Sequence, residues 1–163
     1  MRLRPAVTAD VEAIADVFLA CWRDAYRGVL PDEVLAGMDK AAARELWQAA
    51  FGSEGGQTEV AEEAGSVVGV VRFGLDPVDR RQGHVFSLYV HPDAGRSGIG
   101  GALMARAADW FRAQNLREAT LWVFEANTGA RGFYARHLWS PDGEVRTEPQ
   151  FQAPEVRLRL RLD

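Results

Sequence analysis

Gly95-Arg96-Ser97-Gly98-Ile99-Gly100 stands between an apolar run, His84 to His91, and a stretch with helical spacing. Glycines let a backbone turn tightly and bring several N–H groups to bear on one ligand. A helix beginning there adds roughly half a positive charge at its N-terminus, which suits a phosphate or pyrophosphate. A Walker loop would end in Gly-Lys-Ser/Thr, whereas Gly101-Ala102 follows Gly100. A dinucleotide fingerprint would put a small residue where Leu103 stands, within consecutive parallel βαβ units. This loop alone therefore leaves two readings, an anion cradle or a glycine-rich turn without a ligand.

Other residues add chemistry around it. Glu125-Ala126-Asn127-Thr128-Gly129-Ala130-Arg131-Gly132-Phe133-Tyr134 also joins an apolar run to a helical stretch. Asn127 is suited to cap that helix, and Tyr134 offers a phenol. His84 carries a group whose ordinary pKa of ~6.5 suits proton transfer. Cys21, the one cysteine, sits on an apolar stripe with no histidine near it in sequence, as a packing thiol rather than a nucleophile does.

The elements that must position these residues follow from periodicity. Leu3–Val7 reads as a strand, and Thr8 as the cap of a helix carrying Val11, Ile14, Val17, Phe18, Cys21 and Trp22 on one stripe. Pro31 opens a second helical piece, and Asp39 caps a third. Thr58–Glu62 and Ser66–Phe73 form an antiparallel hairpin, followed by a strand from His84 that Pro92 ends. A helix runs from Ile99 to Gln114, a strand from Thr120 to Phe124 and a helix from Thr128 to His137. Pro141-Asp142-Gly143 reads as a turn, and Val156–Leu162 as a strand whose arginines mark one wet face. The expected architecture is α/β, with a mixed, mostly antiparallel sheet of about seven strands flanked by about four helices. It is expected to form one domain over residues 1–163.

Composition narrows the function. The 163 residues carry 47% hydrophobic and 26% charged side chains, an ordinary globular balance. One cysteine excludes a disulfide framework and points to a reducing compartment, hence the cytoplasm. The N-terminus lacks the apolar block of a signal peptide, and no apolar run approaches the ~20 residues of a membrane span. A net charge of −4 argues against binding nucleic acid by phosphate neutralisation. The 19 basic residues include one lysine, Lys40, a bias that reflects genome composition more readily than chemistry.

Taken together, the two loop motifs resemble the GNAT superfamily of acyl-CoA-dependent N-acyltransferases. There a strand ending Val-x-Pro leads into Arg/Gln-x-x-Gly-x-Gly/Ala, with Asn-x-x-Ala-x-x-Phe-Tyr about thirty residues further on. Val90-His91-Pro92, Gly98-Ile99-Gly100 and Asn127-x-x-Ala130-x-x-Phe133-Tyr134 match in that order. The resemblance runs from Leu3 to Leu162. Gly95 replaces the family's Arg/Gln and Arg96 its neighbouring glycine, and Leu138-Trp139 stand where Gly-Phe is usual.

The resemblance implies acetyl-CoA as co-substrate, cradled by Gly95, Arg96, Ser97, Gly98, Ile99 and Gly100. Leu88, Tyr89 and Val90 would pair with its pantetheine arm, and Asn127 would contact that arm or cap its own helix. It implies direct attack by an amine in a ternary complex, with Tyr134 protonating the departing thiolate. Many relatives carry a glutamate four residues before the position of Leu88; here that position is His84, the candidate base. Acidic side chains introduced at Gly98 or Gly100 are expected to block the cradle and leave the fold intact.

Trp22, Tyr26 and Arg27 resemble a segment beside the acceptor cleft in small bacterial members, and Asp142, Glu144 and Glu148 are acids that could meet a cationic amine. The expected acceptor is a small-molecule amine, with no metal, nucleic acid or membrane involved and the chain a monomer or homodimer. Acetylation of a protein N-terminus or lysine is a second reading, and a non-catalytic acyl-CoA-binding module a third.

Overall fold

Strand alternation and helical spacing resolve into one sheet of seven strands in the order β1-β2-β3-β4-β5-β7-β6, with helices on both faces. The computed structural model describes residues 1–163. Strands β1 (Arg2–Pro5), β2 (Gly56–Glu63), β3 (Ser66–Leu75) and β4 (Gly83–Val90) pair antiparallel in succession. β4 and β5 (Glu118–Phe124) are parallel, and β7 (Pro154–Arg161) runs antiparallel between β5 and β6 (Ser140–Thr147). The sheet is thus mixed and mostly antiparallel, as expected. Five α-helices accompany it: α1 (Val11–Ala25), α2 (Asp32–Ala36), α3 (Lys40–Gly52), α4 (Ile99–Ala113) and α5 (Thr128–Arg136). The five-residue α2 is the helical piece that Pro31 opens, and with it the helices number five rather than about four.

Two cores share the central strand β3. Val70 points to α1 and α3, among Ile14, Phe18, Trp22 and Trp47, while Val71 points to α4 with Leu103, Ala107 and Phe111. A strand buried on both faces reads as a continuous apolar run, as Val67 to Val71 does. Gly69 lets α4 sit close: a Cβ there would lie 3.0 Å from Ile99 and from Leu103.

Two local expectations give way. Thr8 does not cap α1; Thr8–Asp10 form a 3-10 turn, and Asp10 accepts from the Val7 N–H at 2.8 Å while pairing with Arg4 at 2.7 Å. The N-cap position of α1 falls to Asp10, whose carboxyl is held below its ordinary pKa by the Arg4 guanidinium and is turned back to Arg4 and Val7 rather than into the helix. Pro141-Asp142-Gly143 is no turn between elements but a bulge inside β6, where the register with β7 slips between Pro141 and Val145. Gly143 takes φ +94 there. An edge strand tolerates a proline, and a bulge absorbs the left-handed glycine.

The feature that shapes the site is a split. β4 and β5 pair only from Gly83–Ala119 to Val85–Leu121. Beyond that point β4 keeps β3 and β5 keeps β7, so the two parallel strands part like the arms of a V. A bulge between Arg72 and Phe73 in the β3–β4 ladder accompanies the parting; bulges bend and twist a strand locally.

Candidate active site

The split exposes one edge of β4. His91 donates its N–H to Val68 at 2.8 Å, so backbone alternation turns His91 and Tyr89 towards β3 and leaves Leu88 and Val90 facing the gap. The Val90 oxygen is met there by the Cys21 thiol of α1, which donates to it at 2.9 Å. Burial pushes the Cys21 pKa up to about 12, which keeps the sulfur protonated and a donor. An extended amide-bearing chain can add to this edge as a further strand would.

At the end of β4 the glycine loop turns into α4. Gly98 takes φ +81 and Arg96 φ +64, two left-handed residues in a three-residue stretch. The N–H groups from Arg96 to Gly101 find no acceptor within the chain; the first bond of the helix is Ala102 N–H to Gly98 at 3.0 Å. Those donors and the helix dipole could hold an anion through backbone contacts alone, an arrangement that does not call for a charged side chain at Gly95. Ser97 is turned back to donate to the Ala94 oxygen, and Ile99 is buried in the core beneath the loop. The row of free donors and the open β4 edge fit a pyrophosphate joined to an amide-bearing arm.

The two glycines at the helix start differ. A Cβ on Gly98 would meet nothing within 4 Å, whereas one on Gly100 would lie 3.1 Å from the Phe133 ring. Gly100 is therefore a contact between α4 and α5. Acidic residues are expected at both positions to leave the fold intact; at Gly98 the side chain has room but must adopt the left-handed backbone, and at Gly100 it presses on Phe133.

Asn127 caps α5, accepting from the Ala130 N–H at 3.2 Å, and also lines the gap. Tyr134, two turns along α5, is 9% exposed, packed on Phe133 and Trp139 with ring centroids 5.3 and 6.4 Å away. Burial raises its pKa well above that of a free phenol, so the hydroxyl holds its proton at neutral pH. It faces the same cavity as Leu88, Tyr89, Val90 and Cys21.

That cavity, of about 1300 Å³, continues from the split across the open sheet face of β5 and β7. All three tyrosines of the chain line it. Trp22 and Tyr26 contribute rings 5.3 Å apart, and Trp22 also donates its Nε1–H to the Leu35 oxygen at 3.3 Å. Arg27, the third acceptor residue expected from sequence, is exposed and outside the lining.

His84 lies at the closed end of the split, opposite Thr120 and 9% exposed. Thr120 donates its hydroxyl to Asp76 at 3.2 Å, so the 2.8 Å contact between its oxygen and His84 Nδ1 requires the proton on Nδ1. Nε2 is then left as the acceptor. Burial lowers the His84 pKa to about 4, outweighing the pull of Asp76 at 3.9 Å, and Arg146 and Arg157 act in the same direction as burial.

The polar face of β7, expected to be wet, instead walls the cavity. Arg157 pairs with Asp142 at 2.7 Å, and Arg159 with Glu118 at 2.7 Å and Asp142 at 3.1 Å. Arg146 lies 4.4 Å above the Trp122 ring and pairs with Glu155 at 3.0 Å. Glu155 was not singled out from the sequence. Its one signal is being the single acid in the alternating series Glu155, Arg157, Arg159, Arg161.

Fold and site together define an acetyltransferase. The Acetyltransferase (GNAT) family model matches residues 12–138, and the chain belongs to that family. As a member it is an N-acetyltransferase.

Among curated relatives, "Probable N-acetyltransferase Rv2775" of Mycobacterium tuberculosis is 30% identical over 149 residues, 90% of this chain and 84% of that protein. "Uncharacterized N-acetyltransferase YuaI" of Bacillus subtilis is 28% identical over 161 residues, 96% of this chain and 88% of its own length. Of solved structures, a GNAT-family protein from Desulfovibrio desulfuricans superposes with TM-score 0.78 at 19% identity, covering 99% of each chain. PaiA N-acetyltransferase of Thermoplasma acidophilum, solved with coenzyme A, gives 0.76 at 16% identity over 96% of each.

Proposed function

We propose that this chain acetylates the amino group of a small molecule by direct attack on acetyl-CoA in a ternary complex. One observation carries the reading: the gap beside Leu88–Val90 and the polar face of β5 and β7 form one continuous cavity. A donor laid along β4 and an acceptor in the cleft would therefore meet without passing through solvent. The rings of Trp22, Tyr26, Phe124 and Phe151 pack on one another at 5.1 to 6.1 Å and line the cleft, an apolar wall suited to a compact acceptor.

In this reading the N–H row from Arg96 to Gly101 holds the pyrophosphate, and the β4 edge aligns the pantetheine arm. Arg96 supplies charge beside the cradle. Bound there, the donor supplies an acyl carbon attached to a thiol leaving group. Tyr134, still protonated at neutral pH, delivers its proton to the departing sulfur. His84 offers Nε2 as a hydrogen-bond acceptor within the cleft; with a pKa of about 4 it relays a proton rather than holding one at neutral pH. Trp22 and Tyr26 shape the acceptor end. One chain lines the whole site, which suits a monomer or a homodimer, and the single reduced thiol suits the cytoplasm; no helix is long and apolar enough to cross a membrane.

Incubation with acetyl-CoA and a panel of amines, read by thiol release and product mass, tests the reading. It predicts thiol release that requires an amine and an acetylated small-molecule product. Tight acetyl-CoA binding with no amine-dependent release would refute it.

A further inference from the structure

On the reading that this chain acetylates a small-molecule amine, we infer that Glu155 is the carboxylate that binds the acceptor's ammonium beside the thioester and takes its proton. The register places it. β4 and β5 run parallel with His84 opposite Thr120; Phe124 is four residues along β5, and because the β4 bulge takes up one residue, Leu88 and Tyr89 bracket that height on β4. Glu155 on β7 pairs with Phe124. It therefore stands on the far arm of the V, one strand beyond β5 and near the height of Leu88 and Tyr89, where the arms have parted. His84 stands about 13 Å back along the strands, at the apex.

The side chain is prepared for a cation. Glu155 is 6% exposed and lines the cavity, and only Oε1 is engaged, by Arg146 Nε at 3.0 Å. Oε2 has no protein partner. A carboxylate buried this far with one free oxygen is short of positive charge, which an ammonium supplies. Arg146 is shared, since it also reaches Glu148 at 3.4 Å and lies over Trp122. Around the carboxyl stand Arg146 from β6, Glu148 from the following loop, and the hydroxyls of Tyr26 beyond α1 and Tyr89 from β4. Burial leads these influences and raises the Glu155 pKa, so the group is a better base than a free carboxylate.

The protons balance. R–NH₃⁺ gives one proton to Glu155, and the free amine attacks the acyl carbon. The nitrogen–carbon bond forms as the carbon–sulfur bond breaks. The leaving sulfur takes the Tyr134 proton, the second proton lost by nitrogen restores Tyr134 through water, and Glu155 releases its own to solvent. The net products are amide, free thiol and one H⁺.

The substrate class follows: amines that are cations at neutral pH, alkylamines rather than arylamines. The test compares kcat/KM for a primary alkylamine and for an arylamine, neutral at the assay pH, in the wild type, Glu155→Gln and Glu155→Asp. Glu155→Gln is expected to lower the alkylamine value by ~10²-fold, the arylamine value by much less, and to leave the KM for acetyl-CoA nearly unchanged. Glu155→Asp should restore part of the loss. An equal fall for both amines, or no fall, overturns the inference.

The wild type supplies a second reading that needs no variant. If Glu155 binds the ammonium, alkylamine kcat/KM is level from above the Glu155 pKa up to that of the amine. If only free amine enters, it climbs tenfold per pH unit through neutrality, and the inference is wrong. A wild type that releases no thiol with any amine would instead sink the acetyltransfer reading on which this rests.

Discussion

The Sγ of Cys21, on α1, donates to the backbone oxygen of Val90 at 2.9 Å, at the edge of β4 that the split leaves without a strand partner. The bond ties α1 to the edge along which the donor would lie. It also uses the thiol as a donor, and burial holds the sulfur protonated with a pKa of about 12. A thiol so placed is a poor nucleophile. Cys21→Ala should lower stability by roughly 1–2 kcal/mol, for a lost buried contact and hydrogen bond. Saturated turnover should stay within about threefold, a change of well under 1 kcal/mol in the barrier. Thermal unfolding and steady-state kinetics check both; a folded but inactive Cys21→Ala would point to an acyl-enzyme.

Tyr134→Phe keeps the ring that packs on Phe133 and Trp139 and removes only the hydroxyl. Turnover should fall by roughly 10–10³-fold, with acetyl-CoA affinity and melting temperature nearly unchanged. A thioester with a better leaving thiol should suffer less. Weakened binding with full turnover at saturation would make the hydroxyl a binding contact.

The α4 cradle makes separable predictions for its two glycines. Gly98 has open space and φ +81, a conformation aspartate tolerates better than most residues. Gly98→Asp should keep the fold and weaken acetyl-CoA binding by at least ~10²-fold, the effect of a like charge against the pyrophosphate. Gly100→Ala should lower the melting temperature, since its Cβ would press on Phe133 at 3.1 Å. Calorimetric titration and thermal melts distinguish them. Unchanged affinity in Gly98→Asp would remove the cradle from the account.

His84 gives a pH signature in stability. Its pKa falls from 6.5 in the unfolded chain to about 4 in the folded one, chiefly through burial. The unfolded state therefore binds this proton first as pH drops. Stability attributable to His84 is complete above pH 6.5, declines through the window down to about 4, and totals roughly 3 kcal/mol. Denaturant titrations from pH 7 to pH 4 should show that slope, reduced in His84→Gln. The same slope in the variant would assign it to other groups.

Much of this was legible in the chain itself. Alternation marked the strands, and the paired motifs Gly98-Ile99-Gly100 and Asn127-x-x-Ala130-x-x-Phe133-Tyr134 pointed to the candidate donor side because each is local, a loop feeding its own helix. Cys21 read correctly as a packing thiol, but its partner, Val90, is 69 residues away. The acceptor side is assembled across the sheet and so left weaker traces. Glu155 acquires its place only when β7 inserts between β5 and β6, and as sequence it is one residue on a polar face. The β6 bulge hid for the opposite reason: Pro-Asp-Gly is strong turn chemistry, and strand pairing on both sides overrode it.

The central claim, that amine and acetyl-CoA meet in one cavity and react directly, is tested by initial velocities measured with both substrates varied. Direct transfer predicts double-reciprocal lines that intersect, with no thiol released before the amine is added. Parallel lines, together with a burst of thiol in the absence of amine, would signify an acyl-enzyme and contradict it.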